Sequence, residues 1–270
     1  MNETLLIGCG NLGLSITEAF LGEGKKISII EKKAKTLNFL KKKKSKLITI
    51  YNNLNEINFL KYKYLMICVK PQDIEKLIKQ LNEFIKLSNT IISFVAGIKI
   101  SSLSKSFHMK LSILRFMPNL SIRYGKSITA VYSTNVLEKE KKKISNFFTF
   151  FGSFIWVRNE EEINFFTAFF GGGPAYISYF LKCLQNILKE KKINKKNSLK
   201  LIFQLLNGTI DFLEKEKIDF SDLIKKVASK GGTTEKALMY FSKNDKLEHI
   251  INDAIKKAEK KSKDLSKYYN

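Results

Sequence analysis

Two glycine-bearing stretches have the residue types and spacing for chemistry. The first is GCGNLG, which sets Gly8, Gly10 and Gly13 in a GxGxxG pattern. It follows the apolar run TLLI directly and opens a helical stretch over 11–23. In that setting the first glycine permits a tight strand-to-helix turn. The second lets a pyrophosphate approach the backbone, and the third lets helix and strand pack closely. Asn11 and Leu12 at the helix start bring free amides and the positive dipole end to the phosphates. The expected ligand is a dinucleotide. The second stretch is VASKGGTTEKAL, helical on both sides and broken by Gly231 and Gly232. Each glycine costs a helix interior about 1 kcal/mol against alanine. A break at Ser229, Lys230, Gly231 and Gly232 leaves Thr233 or Thr234 to cap the following helix. Cap amides, glycine N–H groups and hydroxyls then form an anion-binding concavity of carboxylate size. Glu235 is expected to point outward, because an inward carboxylate would repel that anion. Taken locally, a well-capped helix–helix turn fits the same residues equally well.

Elements must position these groups. Eight β-type runs occur in the first part of the chain: TLLIG, KISIIE, KLITIY, YLMICV, TIISFV, LSILRFM, SITAVY and SFIWV. Helical sequence separates several of them, including 72–85. Strands alternating with helices mean a doubly wound, mostly parallel sheet of Rossmann type. Glu31 ends the second strand about 20 residues past the glycines, where an acid can accept hydrogen bonds from the adenosine ribose. Glu31 favours NADH and repels a 2′-phosphate. Lys32, Lys33 and Lys35 could hold that phosphate instead, so NADPH or NADH both stay open, with the balance slightly toward NAD. Val69, Lys70 and Pro71 follow the fourth strand, and Ala96 and Gly97 follow the fifth. Both loops fall at the carboxyl edge of a parallel sheet, where ligands bind, and suit a flat nicotinamide. Either loop alone reads as an ordinary strand-end turn.

Beyond Arg158 the periodicity changes. EEINFFTAFF, YISYFLKCLQNILKE, SLKLIFQLLNGTIDFLEKE and LEHIINDAIKKAEKK all have helical spacing. The expected division is a dinucleotide-binding domain over 1–158 and an all-helical domain over 159–270. The helices carry long apolar stretches, such as 201–206 and 177–181. A domain of this size would struggle to bury them alone, so a paired helical domain is expected.

Composition narrows the function class. The chain has 270 residues and a formal charge of +23, which first points to nucleic acid. Only Arg115, Arg123 and Arg158 among its 48 basic residues are arginine, the residue that forks onto phosphates and bases. The lysines are spread along the chain and accompany abundant Asn, Ile and Phe, so no nucleic-acid partner is expected. The run over 41–44 reads as the outer face of a surface helix. Cys9, Cys68 and Cys183 are isolated, and with His108 and His249 they give no metal-ligand spacing, so no metal is expected. The early start of the first strand leaves no room for a signal peptide, and no apolar run is long enough to span a membrane. A soluble cytoplasmic protein is expected.

The chain resembles pyrroline-5-carboxylate reductases over nearly its full length. The resemblance rests on IGCGNLG, VKPQDI, SFVAGIKISSL, LRFMPNLSIRYG, GGGPAYISYF and VASKGGTTEKAL. The last is the specific motif; the first is shared by many dehydrogenases. The resemblance implies NAD(P)H in the N-terminal domain, an interlocked helical dimer that often assembles further, and reduction of 1-pyrroline-5-carboxylate to proline. It also implies that Ser229, Gly231, Gly232, Thr233 and Thr234 hold the carboxylate and ring nitrogen of a cyclic imine, and that Asn119 lies near the nicotinamide. Three positions depart from the family's pattern. Phe170 and Gly172 stand where it usually has serines, and Lys230 where it usually has proline, which makes the loop less preorganised. A protonated imine carbon is already electrophilic, so positioning against nicotinamide C4 suffices without metal or covalent nucleophile. Thr234 is the candidate to hydrogen-bond the ring nitrogen, with Ser229 beside it. Two other readings stay in view. One is a different imine reductase or a hydroxy-acid dehydrogenase of the same architecture; the other is a basic nucleic-acid-binding protein.

Overall fold

A computed structural model describes residues 3–269. Eight strands form one sheet in the order β3-β2-β1-β4-β5-β6-β7-β8. They are β1 Thr4–Ile7, β2 Ile27–Ile30, β3 Ile48–Tyr51, β4 Tyr64–Ile67, β5 Thr90–Ser93, β6 Ser112–Met117, β7 Ser127–Ser133 and β8 Gly152–Trp156. All adjacent pairs are parallel except β6 with β7. Every run expected as a strand is one.

The buried central strands read as continuous apolar runs because both sheet faces are covered. In β1, Leu5 and Ile7 point into one core cluster and Leu6 into the other, the two-residue alternation of a strand. One cluster joins Leu5, Ile7, Leu65 and Ile67 to α3 (Ile74–Leu81) and α4 (Ile100–Ser106) through Ile74, Ile78, Leu81 and Leu103. The other joins Leu6, Ile29 and Met66 to α1 (Asn11–Gly22) and α2 (Ala34–Lys42), and to α5 (Glu138–Phe147) through Ile144. Phe20, Phe116, Phe148 and Phe151 fill that side with mostly edge-to-face contacts. The helix expected over 72–85 is shorter. Pro71 opens a 3-10 turn, Pro71–Asp73, and α3 ends at Leu81. Proline lacks the N–H and fixes φ, so it suits that tight first turn.

After β8 the described chain is helical: α6 Glu162–Phe166, α7 Gly173–Glu190, α8 Lys195–Glu216, α9 Phe220–Val227, α10 Thr233–Ser242 and α11 Lys246–Tyr269. A π-turn, Thr167–Gly171, separates α6 from α7. Asn194 and Asp219 cap α8 and α9, accepting from Asn197 and Asp222 amides. Two compact units result. One holds the sheet, its helices up to Pro174 and the chain from Ala258; the other is Ala175–Lys257. In the second unit α7 buries no residue, while Tyr179, Phe203, Leu205, Tyr240 and Ile250 are more than half exposed. So much apolar surface on consecutive helices is the signature of a face made to be covered.

Candidate active site

A cleft of about 730 Å³ runs along the carboxyl ends of β1, β2, β4 and β5. The turn after β1 lines it with Gly8, Cys9, Gly10, Asn11 and Leu12. Glu31, Lys32 and Lys33 line it beyond β2, Val69, Lys70 and Pro71 beyond β4, and Ala96 beyond β5. The glycines explain how the chain can bend there. Gly8 has φ +87°, and a Cβ on it would stand 2.7 Å from Cys68 O and 2.8 Å from Val69 Cγ1. A Cβ on Gly13 would stand 2.7 Å from Gly8 O, so Gly13 serves the packing of α1 under the turn and does not line the cleft. Gly10 differs: nothing lies within 4 Å of its absent Cβ. Its bare backbone borders open space at the start of α1, the feature a pyrophosphate requires.

Glu31 is buried and already engaged. Its Oε2 accepts the Cys9 N–H at 2.8 Å; its Oε1 accepts the N–H groups of Lys32 and Lys33 at 2.7 and 2.8 Å. A carboxylate has about four lone-pair sites, so about one remains for a ribose hydroxyl. The carboxylate therefore pins the glycine turn to the end of β2, while the exposed Lys32 and Lys33 stay at the cleft rim. Two thiols lie on the floor. Burial pushes the Cys9 thiol up to about 11, with Glu31 adding to the rise and the Thr17 hydroxyl opposing it. Burial likewise pushes Cys68 up to about 12. Both values lie well above neutral pH, so the thiol and not the nucleophilic thiolate predominates there.

Sequence reasoning missed one wall. Asp73, Lys76, Leu77 and Gln80 line the cleft from α3 and the turn before it. Their spacing of three and four is a helical stripe, a signal that was present in the sequence. Gly97 and Asn119 are not among the lining residues. Gly97 is buried with φ +78° against Leu265 and Tyr269. Asn119 is a buried bracket. Its N–H donates to Ser127 Oγ at 3.1 Å, its Oδ1 accepts from Ser121 N at 3.0 Å, and its Nδ2 donates to Phe170 O at 3.2 Å.

The second glycine stretch lies in the helical unit, between α9 and α10. Gly231 has φ +77°, the left-handed region that favours glycine. Two expectations need correction. The N-cap of α10 is Gly232, without a side-chain cap, so Thr233 and Thr234 begin the first turn instead of capping it. A Cβ on Gly232 would stand 2.6 Å from Ser229 Oγ, so the tight approach of Ser229 fixes glycine at the cap. Glu235 does not point outward. Its Oε2 accepts the Gly231 N–H at 2.7 Å, because a first-turn carboxylate gains from unpaired amides and the helix dipole. Gly232 N–H donates to Ser229 O at 2.9 Å, and the first backbone bond into α10 runs from Lys236 N to Gly232 O. The amides of Thr233 and Thr234 precede it and have no acceptor within the helix.

Sheet order, glycine turn and cleft define a dinucleotide-binding protein of the doubly wound α/β class, with an added helical unit. Residues 4–97 match a family described as NADP oxidoreductase, coenzyme F420-dependent, and residues 160–265 one described as pyrroline-5-carboxylate reductase dimerisation. A pyrroline-5-carboxylate reductase of Staphylococcus haemolyticus is 30% identical over 205 residues, which cover 76% of this chain and 75% of that one. The fold is similar to that of a pyrroline-5-carboxylate reductase from Coxiella burnetii, with TM-score 0.84, 24% identity and 98% of both chains covered. It is also similar to the Plasmodium falciparum pyrroline carboxylate reductase solved with NADP bound, with TM-score 0.83, 21% identity and 98% of both chains covered. The chain belongs to the pyrroline-5-carboxylate reductase family.

Proposed function

We propose that this chain reduces 1-pyrroline-5-carboxylate to L-proline with NAD(P)H, the last step of proline biosynthesis. The observation that carries the reading is 30% identity to a reductase of that name across three quarters of both chains. The dinucleotide, when bound, supplies the hydride. The chain's own residues bind and orient. The amides of the turn after β1 and the start of α1 face the pyrophosphate, with Gly10 leaving the approach open. Lys32 and Lys33 favour a 2′-phosphate at the rim, and Glu31 retains limited capacity for a ribose hydroxyl. The free amides of Thr233 and Thr234 and the Ser229 hydroxyl hold the substrate carboxylate, while Gly231 and Gly232, whose amides are spent on Glu235 and on Ser229 O, shape the turn around it. The Thr234 hydroxyl hydrogen-bonds the ring nitrogen and assists its protonation. Asn119 acts by fixing the backbone after β6, and any role near the nicotinamide is indirect.

The functional division we propose is 1–158 for the dinucleotide and 159–270 for substrate and self-association. The chain forms at least a homodimer through its exposed helical faces and acts in the cytoplasm without nucleic acid. Among the described residues no helix is long and apolar enough to cross a membrane. The test is oxidation of NADH and NADPH, run side by side, with pyrroline-5-carboxylate, other cyclic imines and hydroxy acids. Turnover only with hydroxy acids, or with none of them, refutes the reading.

A further inference from the structure

Past β5 two adjacent residues part company. Ala96 is exposed and lines the cleft; Gly97, next in the chain, is buried and does not line it. A Cβ on Gly97 would stand 3.2 Å from Tyr269 Cδ2 and 3.3 Å from Leu265 O, so the last turn of α11 lies directly on the loop backbone. The same helix reaches the far end of this loop by a polar relay. Ser262 Oγ donates to Asn164 Oδ1 at 2.9 Å, and Asn164 Nδ2 donates to Glu161 Oε2 at 3.1 Å. Glu161 Oε1 then pairs with Lys99 Nζ at 2.6 Å. None of Ser262, Asn164, Glu161 or Tyr269 lines the cleft.

In this sheet order the β1–β2 side faces the adenosine half of a dinucleotide and the β4–β5 side the nicotinamide half. We infer that Tyr269 is a positioning residue for the nicotinamide: its ring, pressed on Gly97, holds Ala96 at the height where the ring of the cofactor rests. This rests on the cleft being a dinucleotide site and goes beyond it by giving the C-terminal turn of α11 a function. The ring and not the hydroxyl supplies the contact. Without it the loop has room to sink, and a displacement of about 1 Å at a reacting centre costs up to about a hundredfold in rate.

The test compares two ligands on the full chain by calorimetry. NADPH carries the nicotinamide; 2′-phospho-ADP-ribose lacks it and probes only the adenosine and pyrophosphate half. Tyr269→Ala is expected to weaken NADPH on the order of tenfold, to leave the fragment within about twofold, and to lower turnover more than it raises the imine KM. Tyr269→Phe restores both. Ser262→Ala, a milder change, shifts NADPH in the same direction, and it carries the test if Tyr269→Ala does not fold. Equal weakening of both ligands, or no weakening of NADPH in either variant, overturns the inference. A wild-type chain that binds neither ligand overturns the reading of the cleft, and this inference with it.

Discussion

Gly8 and Gly10 sit two residues apart in one turn, and their surroundings differ. Gly8→Ala puts a Cβ 2.7 Å from Cys68 O at φ +87°. The left-handed backbone costs roughly 1–2 kcal/mol for an L-residue, and forcing a methyl into a packed backbone costs about 1–3 kcal/mol more. Restricting the unfolded chain returns only about 0.4–1 kcal/mol. The net loss is roughly 1–5 kcal/mol, which at about 2–4 °C per kcal/mol lowers Tm by several degrees or more. Gly10→Ala is different in kind. Its φ is −69° and nothing lies within 4 Å of the added methyl. Losing glycine at an N-cap costs on the order of 0.5–1 kcal/mol, which the unfolded-chain effect of similar size offsets. The new methyl nevertheless occupies the pyrophosphate approach. The assay is a thermal melt of each variant with and without saturating NADPH, beside direct titration of NADPH. Gly8→Ala is expected to melt early. Gly10→Ala is expected to melt like wild type without NADPH and to show little of the wild-type shift with it. A Gly8→Ala protein as stable as wild type, or a Gly10→Ala protein with undiminished NADPH affinity, refutes the assignment.

Other consequences are open to measurement. Thr234→Ala is expected to lower both turnover and apparent imine affinity, and steady-state kinetics that match wild type in both would remove its role. Arg115 is buried and pairs with Glu160 Oε1 at 3.0 Å, an oxygen that also accepts the Ile100 N–H; Arg115→Met leaves that carboxylate uncompensated and is expected to cost about 3–5 kcal/mol in denaturant unfolding. The hydrogen bond and charge of Lys99 hold the Glu161 carboxyl below the usual range. Because the folded value is depressed, this contribution is present above the unfolded value and is lost as pH falls through the folded one. Acid titration of stability in Glu161→Gln is therefore expected to be shallower than in wild type below about pH 4.5, and identical slopes would contradict it. Alkylation at pH 8 is expected to spare Cys9 and Cys68, whose thiols burial holds protonated; peptide mapping that finds either one modified as fast in the folded chain as in the denatured chain would contradict that.

The strands were legible in the sequence because burial on both faces leaves only apolar residues and a short length. GxGxxG was legible because a turn that tight admits glycine alone at Gly8. Strand order was not, since parallel strands of similar composition give no signal for which lies beside which; crossovers on both faces and the single antiparallel pair, β6 with β7, decided it. The polar groups were the least legible. Glu31 reads as a ribose acceptor by position, yet three backbone amides brought together by the turn take most of its lone pairs. Glu235 reads as an outward acid by its repulsion for an anion, yet the unpaired Gly231 amide draws it inward. Gly97 reads as a cofactor loop by its place after β5, while the residue that presses on it, Tyr269, is far away in sequence. What the sequence by itself determined were the elements and the two glycine stretches, because periodicity and steric tolerance are local. Which side chains are spent on the fold and which remain for a ligand was decided by tertiary structure, because a hydrogen bond is committed only when a distant partner arrives.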